Sequence, residues 1–210
     1  MRTSPLAAAL ACALVATAAL ASPPCAITVS FGADPTTSAT VSFSSNSSDA
    51  AAFLTISPPV GGATRISATR IDNSYANSAG VRFVYRAALT GLLPSTTYTY
   101  AASVLGVASA TRTFTTLSAD PAAVPKVIFW GDLGRDGGGQ AIPALEAEAA
   151  ATAARAPGAG DVGIQAGDFA YDLGDMKGAR GAAFMERYSA IAGSLPTFTC
   201  IGNHVRLLCP

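Results

Sequence analysis

Two rhythms of apolar residues divide this chain. From about Ala26 to Leu117, apolar and polar residues alternate in short runs: Ile27-Thr28-Val29-Ser30-Phe31, Thr40-Val41-Ser42-Phe43, Phe53-Leu54-Thr55-Ile56, Val81 to Ala87, Tyr98 to Leu105 and Ala110 to Thr116. Successive side chains of a strand point to opposite faces, so alternation marks strands buried on one side. Clusters of Gly, Pro, Ser and Asn separate the runs, and several short strands at such spacing predict a β-sandwich. The alternation stops at Ser118 to Pro125, which holds Pro121 and Pro125, and a domain boundary is expected there.

Beyond it the rhythm changes. Short apolar runs at Val127 to Trp130, Asp161 to Ala166 and Thr197 to Ile201 read as strands, and two helical segments lie between them. Gln140 to Arg155 is strongly helix-forming, with Pro143 tolerable near its first turn and Pro157-Gly158 ending it. Ala179 to Ser194 carries Phe184, Met185, Tyr188 and Ile191 at helical spacing. Alternating strands and helices predict a parallel sheet with right-handed crossovers.

Each of the three strands runs into a glycine-containing loop: Gly131-Asp132-Leu133-Gly134, Gly167-Asp168-Phe169-Ala170-Tyr171 and Gly202-Asn203-His204. Open α/β sheets bind ligands at the carboxyl ends of their strands. The pattern therefore predicts Asp132, Asp168, Tyr171, Asn203 and His204 at one edge, and converging oxygen donors suit a pair of hard metal ions. Taken singly, each residue has a plainer role: an Asp or Asn after a strand caps a turn, and a Tyr packs on the next helix. Their convergence is what favours a site.

Composition narrows the function. Half of the residues are hydrophobic (50%), ample for a core, and 13 Lys+Arg balance 13 Asp+Glu with no run of like charges. That excludes nucleic acid and a basic membrane-surface patch, leaving small molecules or proteins as partners. Met1-Arg2, the apolar run Leu6 to Leu20 and the small-residue ending Ala19-Leu20-Ala21 read as a secretory signal peptide over residues 1–21, preferred over a membrane anchor. No second apolar run is long enough to span a membrane, so none is expected after cleavage. Of 4 Cys, Cys12 leaves with the signal and Cys25, Cys200 and Cys209 remain; no Cys-x-x-Cys occurs, and Cys200 is expected to be buried in its apolar strand. Asn46-Ser47-Ser48 is a glycosylation sequon in a turn-like stretch, consistent with secretion.

Two stretches resemble known families. Gly91-Leu92-Leu93-Pro94-Ser95-Thr96-Thr97-Tyr98 resembles the turn and strand of fibronectin type III modules, where a corner tyrosine bonds to the loop backbone. The sandwich together with Phe129 to Gly134, Gly167 to Asp172, Phe184-Met185-Glu186 and Leu195 to His204 resembles the animal-type purple acid phosphatases of the calcineurin-like metallophosphoesterase superfamily. The resemblance implies hydrolysis of phosphate monoesters by a dinuclear centre of Fe3+ and a divalent ion, Zn2+, Fe2+ or Mn2+. It implies Asp132 and Tyr171 as ferric ligands, Asp168 as the bridge, Asn203 as a divalent-site ligand and His204 as a catalytic group outside the coordination shell. A secreted, vacuolar or lysosomal location follows from the same resemblance and the signal peptide.

The implied architecture is a signal peptide (1–21), a fibronectin type III-like sandwich (22–117), a linker (118–125) and the first βαβαβ part of a metallophosphatase domain (126–210). The sequence also departs from the family. It holds 1 His, His204, whereas the family completes its site with further histidines, and Val205 follows Gly-Asn-His where an acidic residue is usual. The resemblance stops at Val205, so the chain is expected to be an N-terminal fragment that holds metal loosely and is inactive alone. The alternative is a secreted, non-catalytic β-sandwich binding module or an unstable truncated product.

Overall fold

In the first half of the chain, alternation becomes nine antiparallel strands among the described residues, and in the second half a three-stranded parallel sheet with two helices. The computed structural model describes residues 22–48, 51–77, 80–133, 141–156, 158–169, 171–172, 174, 176–200 and 202. In chain order the elements are β1 (Cys25–Phe31), β2 (Ala39–Ser45), β3 (Ala52–Ser57), β4 (Thr64–Ser67), β5 (Thr69–Asn77), β6 (Gly80–Leu89), β7 (Thr97–Val104), β8 (Val107–Ala108), β9 (Arg112–Thr115) and β10 (Val127–Trp130). Then follow α1 (Ala141–Ala153), β11 (Val162–Ala166), α2 (Ala179–Ala192) and β12 (Thr197–Cys200).

One antiparallel sheet has the order β1-β2-β6-β5, and the other has β4-β3-β7-β8 with β9 also paired to β7. Both put their alternate apolar residues into a single core: Val41 and Phe43 from β2, Tyr85 from β6, Leu54 from β3, Tyr100 from β7 and Phe114 from β9. Between them in sequence, Thr40 and Ser42 stay partly exposed, as a period of two requires. Phe114 stacks on Tyr98 at 5.8 Å and meets Tyr100 edge-on at the same distance. The Leu93 N–H donates to the Tyr98 hydroxyl at 2.8 Å, the corner bond the sequence led us to expect. Leu105 (φ 51) and Gly106 (φ 80) make the left-handed two-residue turn that joins β7 to β8.

Strands β4, β5 and β8 were not foreseen. β4 reads Thr-Arg-Ile-Ser and is mostly exposed at a sheet edge, so it lacks the buried alternate face that betrays a strand. Arg65 of β4 instead lies 3.5 Å over the Phe53 ring.

The parallel sheet has the order β10-β11-β12. One face packs on both helices through Trp130, Ile142, Leu145, Ala149, Phe184, Tyr188 and Ile191. Gly163 permits this, since a Cβ there would sit 2.5 Å from Trp130 Cη2. On the other face Phe129, Ile164 and Phe198 lie side by side in register, 69%, 36% and 46% exposed. Cys200 is also exposed, which corrects the expected burial. Its strand is apolar, but α1 and α2 pack on the opposite face. No helix among the described residues is long and apolar enough to cross a membrane.

Helix α2 also packs against the sandwich. Arg112 donates from Nη1 to the Ser189 carbonyl at 2.8 Å and from Nη2 to Ser189 Oγ at 3.0 Å. That hydroxyl accepts from the Ile27 N–H at 2.9 Å, and the Tyr100 hydroxyl donates to the Gly193 carbonyl at 2.6 Å. A guanidinium at the last turn of a helix satisfies free carbonyls and opposes the negative end of the helix dipole. Gly193 is needed here, because a Cβ would meet Ser189 O at 2.6 Å and Arg112 Cδ at 2.8 Å. The sandwich thus holds the end of α2 two residues before the Leu195-Pro196 turn into β12.

Candidate active site

Strands β10 and β11 are parallel neighbours, so their following residues emerge at the same end of the sheet. Both loops then turn through a left-handed residue. Asp132 has φ 50 and Asp168 has φ 40, the latter directly after Gly167 at φ 79. Aspartate is among the few side chains that enter this region with modest strain, and such outliers gather at functional sites. The turns fold the two loops together: the Leu133 N–H donates to the Asp168 carbonyl at 3.2 Å. Gly131 lies so close to β11 that a Cβ would approach Ala166 O to 2.8 Å.

The Tyr171 hydroxyl donates to Asp132 Oδ1 at 3.2 Å. Desolvation first, then this bond and the charges of Asp132 and Asp168, push the phenol above its ordinary value. Asp168 itself is buried, at 4% exposure, whereas Asp132 is exposed. The third loop closes on the same group, for a Cβ on Gly202 would overlap the carboxylate and backbone nitrogen of Asp168. Only glycine lets the second residue after β12 lie there.

The structure therefore brings Asp132, Asp168 and Tyr171 together. Asn203 and His204 lie outside the described residues, although Gly202 immediately before them rests on Asp168. Asn46 is exposed beyond the end of β2, in a different part of the fold. Among the described residues no group of three or more His, Cys, Asp or Glu is placed to hold a metal ion. What is present is a partial set of two carboxylates and a phenol, all hard oxygen donors of a type that fits a highly charged ion.

One residue passed over in the sequence is Gln165. It lies in the middle strand of the sheet with 0% exposure, and neither its Oε1 nor its Nε2 has a partner among the described residues. Its register neighbour Trp130 likewise has an unpartnered indole nitrogen. A polar residue inside an otherwise apolar run was the available signal.

Residues 24–116 match the family described as purple acid phosphatase, N-terminal domain. Acid phosphatase type 7 of Danio rerio is 34% identical over 124 residues, covering 59% of this chain and 26% of that protein. The Homo sapiens protein of the same name is 32% identical over 122 residues, covering 58% and 26%. The chain thus spans about a quarter of the length of these curated relatives. The solved structure of purple acid phosphatase PPD1 from yellow lupin (Lupinus luteus) seeds superposes with a TM-score of 0.69 at 18% identity, over 88% of this chain and 36% of that one. At that identity the likeness is one of fold, and a share of 88% takes it well past the sandwich into the α/β layer. The likeness to purple acid phosphatases is therefore one of family over residues 24–116 and one of fold beyond them.

Proposed function

We propose that this chain is part of an acid phosphatase that hydrolyses phosphate monoesters at a two-metal centre on the carboxyl edge of β10-β11-β12. The observation that carries the reading is the meeting of three loops: Tyr171 on Asp132, Leu133 on Asp168 and Gly202 on Asp168. Asp132 and Tyr171 would hold Fe3+, Asp168 would bridge, and Asn203 would serve the divalent ion, Zn2+, Fe2+ or Mn2+. When bound, such a pair clamps the ester oxygens and offsets charge developing in an in-line displacement. The two carboxylates, and Tyr171 once a bound ion displaces its proton, would supply the negative charge the ions need, and the loop turns place these oxygens together. His204 would give its proton to the departing alcohol oxygen as a water oxygen bonds to phosphorus and the ester phosphorus–oxygen bond breaks.

In this reading residues 22–117 are a fibronectin type III-like sandwich, 118–125 a linker and 126–210 the beginning of the metallophosphatase domain, with residues 1–21 directing secretion. With 1 His in the sequence, the neutral imidazoles that would tighten a dinuclear site are missing. The 210-residue chain by itself is therefore expected to show no turnover.

The test is a chimera in which residues up to His204 replace the matching segment of the Danio rerio enzyme, assayed with an aryl phosphate at acidic pH alongside the 210-residue chain. Turnover by the chimera, lost in Asp168→Asn together with both metals, is the expected result. Tyr171→Phe should remove the phenolate-to-iron colour, and His204→Ala should slow turnover more than it lowers metal content. A chimera that keeps its metals and its activity after Asp168→Asn overturns the site, and turnover by the unfused chain overturns the incomplete ligand set.

A further inference from the structure

The purple acid phosphatase reading makes no use of the sequon Asn46-Ser47-Ser48. Pairing of β2 with β6 ends at Ser45 opposite Phe83, so Asn46 is the first residue beyond the ladder, and its side chain is exposed. Among the described residues its amide makes two long bonds, both with Ser22: the Ser22 N–H donates to Oδ1 at 3.3 Å and Nδ2 donates to Ser22 Oγ at 3.3 Å. Ser22 is the residue that begins the mature chain if cleavage follows Ala21, so the new N-terminus lies against this amide. The backbone after Asn46 is fastened differently. The Tyr85 hydroxyl donates to the Ser47 carbonyl at 2.8 Å, and Arg70 Nη1 donates to the Ser48 carbonyl at 3.1 Å.

Those two anchors come from β6 and β5, which are synthesised after the sequon. While the chain emerges, the Asn-Ser-Ser backbone is free to adopt the conformation a transferase needs; once β5 and β6 pair, its carbonyls are tied down. We propose that Asn46 is an N-linked glycosylation site modified before β6 closes over the loop. In the transfer, Nδ2 bonds to the anomeric carbon of a lipid-linked oligosaccharide diphosphate. The bond from that carbon to the diphosphate oxygen breaks, and the amide proton leaves to the transferase base. The glycan then extends from the end of β2 into solvent and requires no repacking of Ser45 or Phe43, which stay buried.

The proposal rests on entry into the secretory pathway, so the experiment separates the two. The full chain is expressed in eukaryotic cells with its own first 21 residues and with a proven cleavable leader in their place, and cell and medium fractions are both examined. Treatment with peptide N-glycosidase should remove one discrete mobility step and leave Asp at position 46 in the recovered peptide. Asn46→Gln and Ser48→Ala should each lack the step, and Ser47→Ala should keep it. If only the proven leader gives modification, the acceptor site stands and the native leader is not a signal. An unmodified Asn46 in chain carrying the proven leader overturns the proposal, whether the chain is secreted or retained. For the timing, unmodified chain is offered to purified transferase with lipid-linked oligosaccharide; modification of unfolded but not folded chain is expected, and equal modification of both overturns the order of events.

Discussion

The sandwich and the parallel sheet bury their apolar residues to very different degrees. In the sandwich two sheets cover each other, and Tyr85, Tyr100, Leu54 and Phe114 are each at most 1% exposed. In the parallel sheet α1 and α2 cover one face, while Phe129, Ile164 and Phe198 line up on the other at 36% exposure or more. Parallel sheets are normally covered on both faces. The candidate chemistry lies in the less enclosed region, and the better enclosed one lends it rigidity, because Arg112 and Tyr100 hold the C-terminal end of α2. A domain that contributes no candidate ligand thereby positions an element that leads into the third loop.

Substitutions can break this contrast in graded steps. The largest loss of stability is expected from Phe114→Ala, at about 3–5 kcal/mol, because the ring is fully enclosed and touches both Tyr98 and Tyr100. Chemical denaturation of the full chain measures it, and a loss as small as that of a surface change would mean the sandwich is not the closed core described. Arg112→Ala should cost about 1.5–3 kcal/mol, as expected for hydrogen bonds from a charged donor, and should speed proteolytic cutting within residues 118–125. Unchanged cutting would show that the two regions are joined by something other than this bond.

Tyr100→Phe is expected to cost about 1 kcal/mol at neutral pH, with a more telling effect in alkali. Burial raises the Tyr100 phenol above its ordinary value near 10.0. Between that value and the folded one, the folded chain retains a proton the unfolded chain has lost, so stability falls as pH climbs above about 10. The Phe variant should lose stability less steeply over that range, which thermal scans across the pH series would detect. The smallest change is expected from Phe198→Thr, within about 0.5 kcal/mol, since its ring is half exposed and threonine suits a strand. The same variant should bind less of a dye that reports apolar surface; a large destabilisation would instead show that the Phe31–Phe198 ring contact at 6.3 Å carries more of the join.

Much of this was legible along the chain. Strands β1, β2, β3, β6 and β7 follow directly from alternation, because a strand buried on one face must repeat every second residue. Helix α1 followed from helix-forming composition and α2 from its apolar spacing, and the glycine-aspartate pairs marked where β10 and β11 run into loops. Local pattern did not reveal β4, β5 or β8, of which β4 and β8 have few residues and bury no continuous face, and it passed over Gln165 inside an apolar run. Nor could it give the left-handed turns at Asp132 and Asp168, the Tyr171–Asp132 bond, the fit of Gly202 on Asp168 or the Arg112–Ser189 join. Periodicity records how a segment divides its side chains between two faces. It carries no information about what covers each face, as Cys200 and Phe129 show: both lie in apolar strands, and both are exposed because the tertiary arrangement puts α1 and α2 on the opposite side.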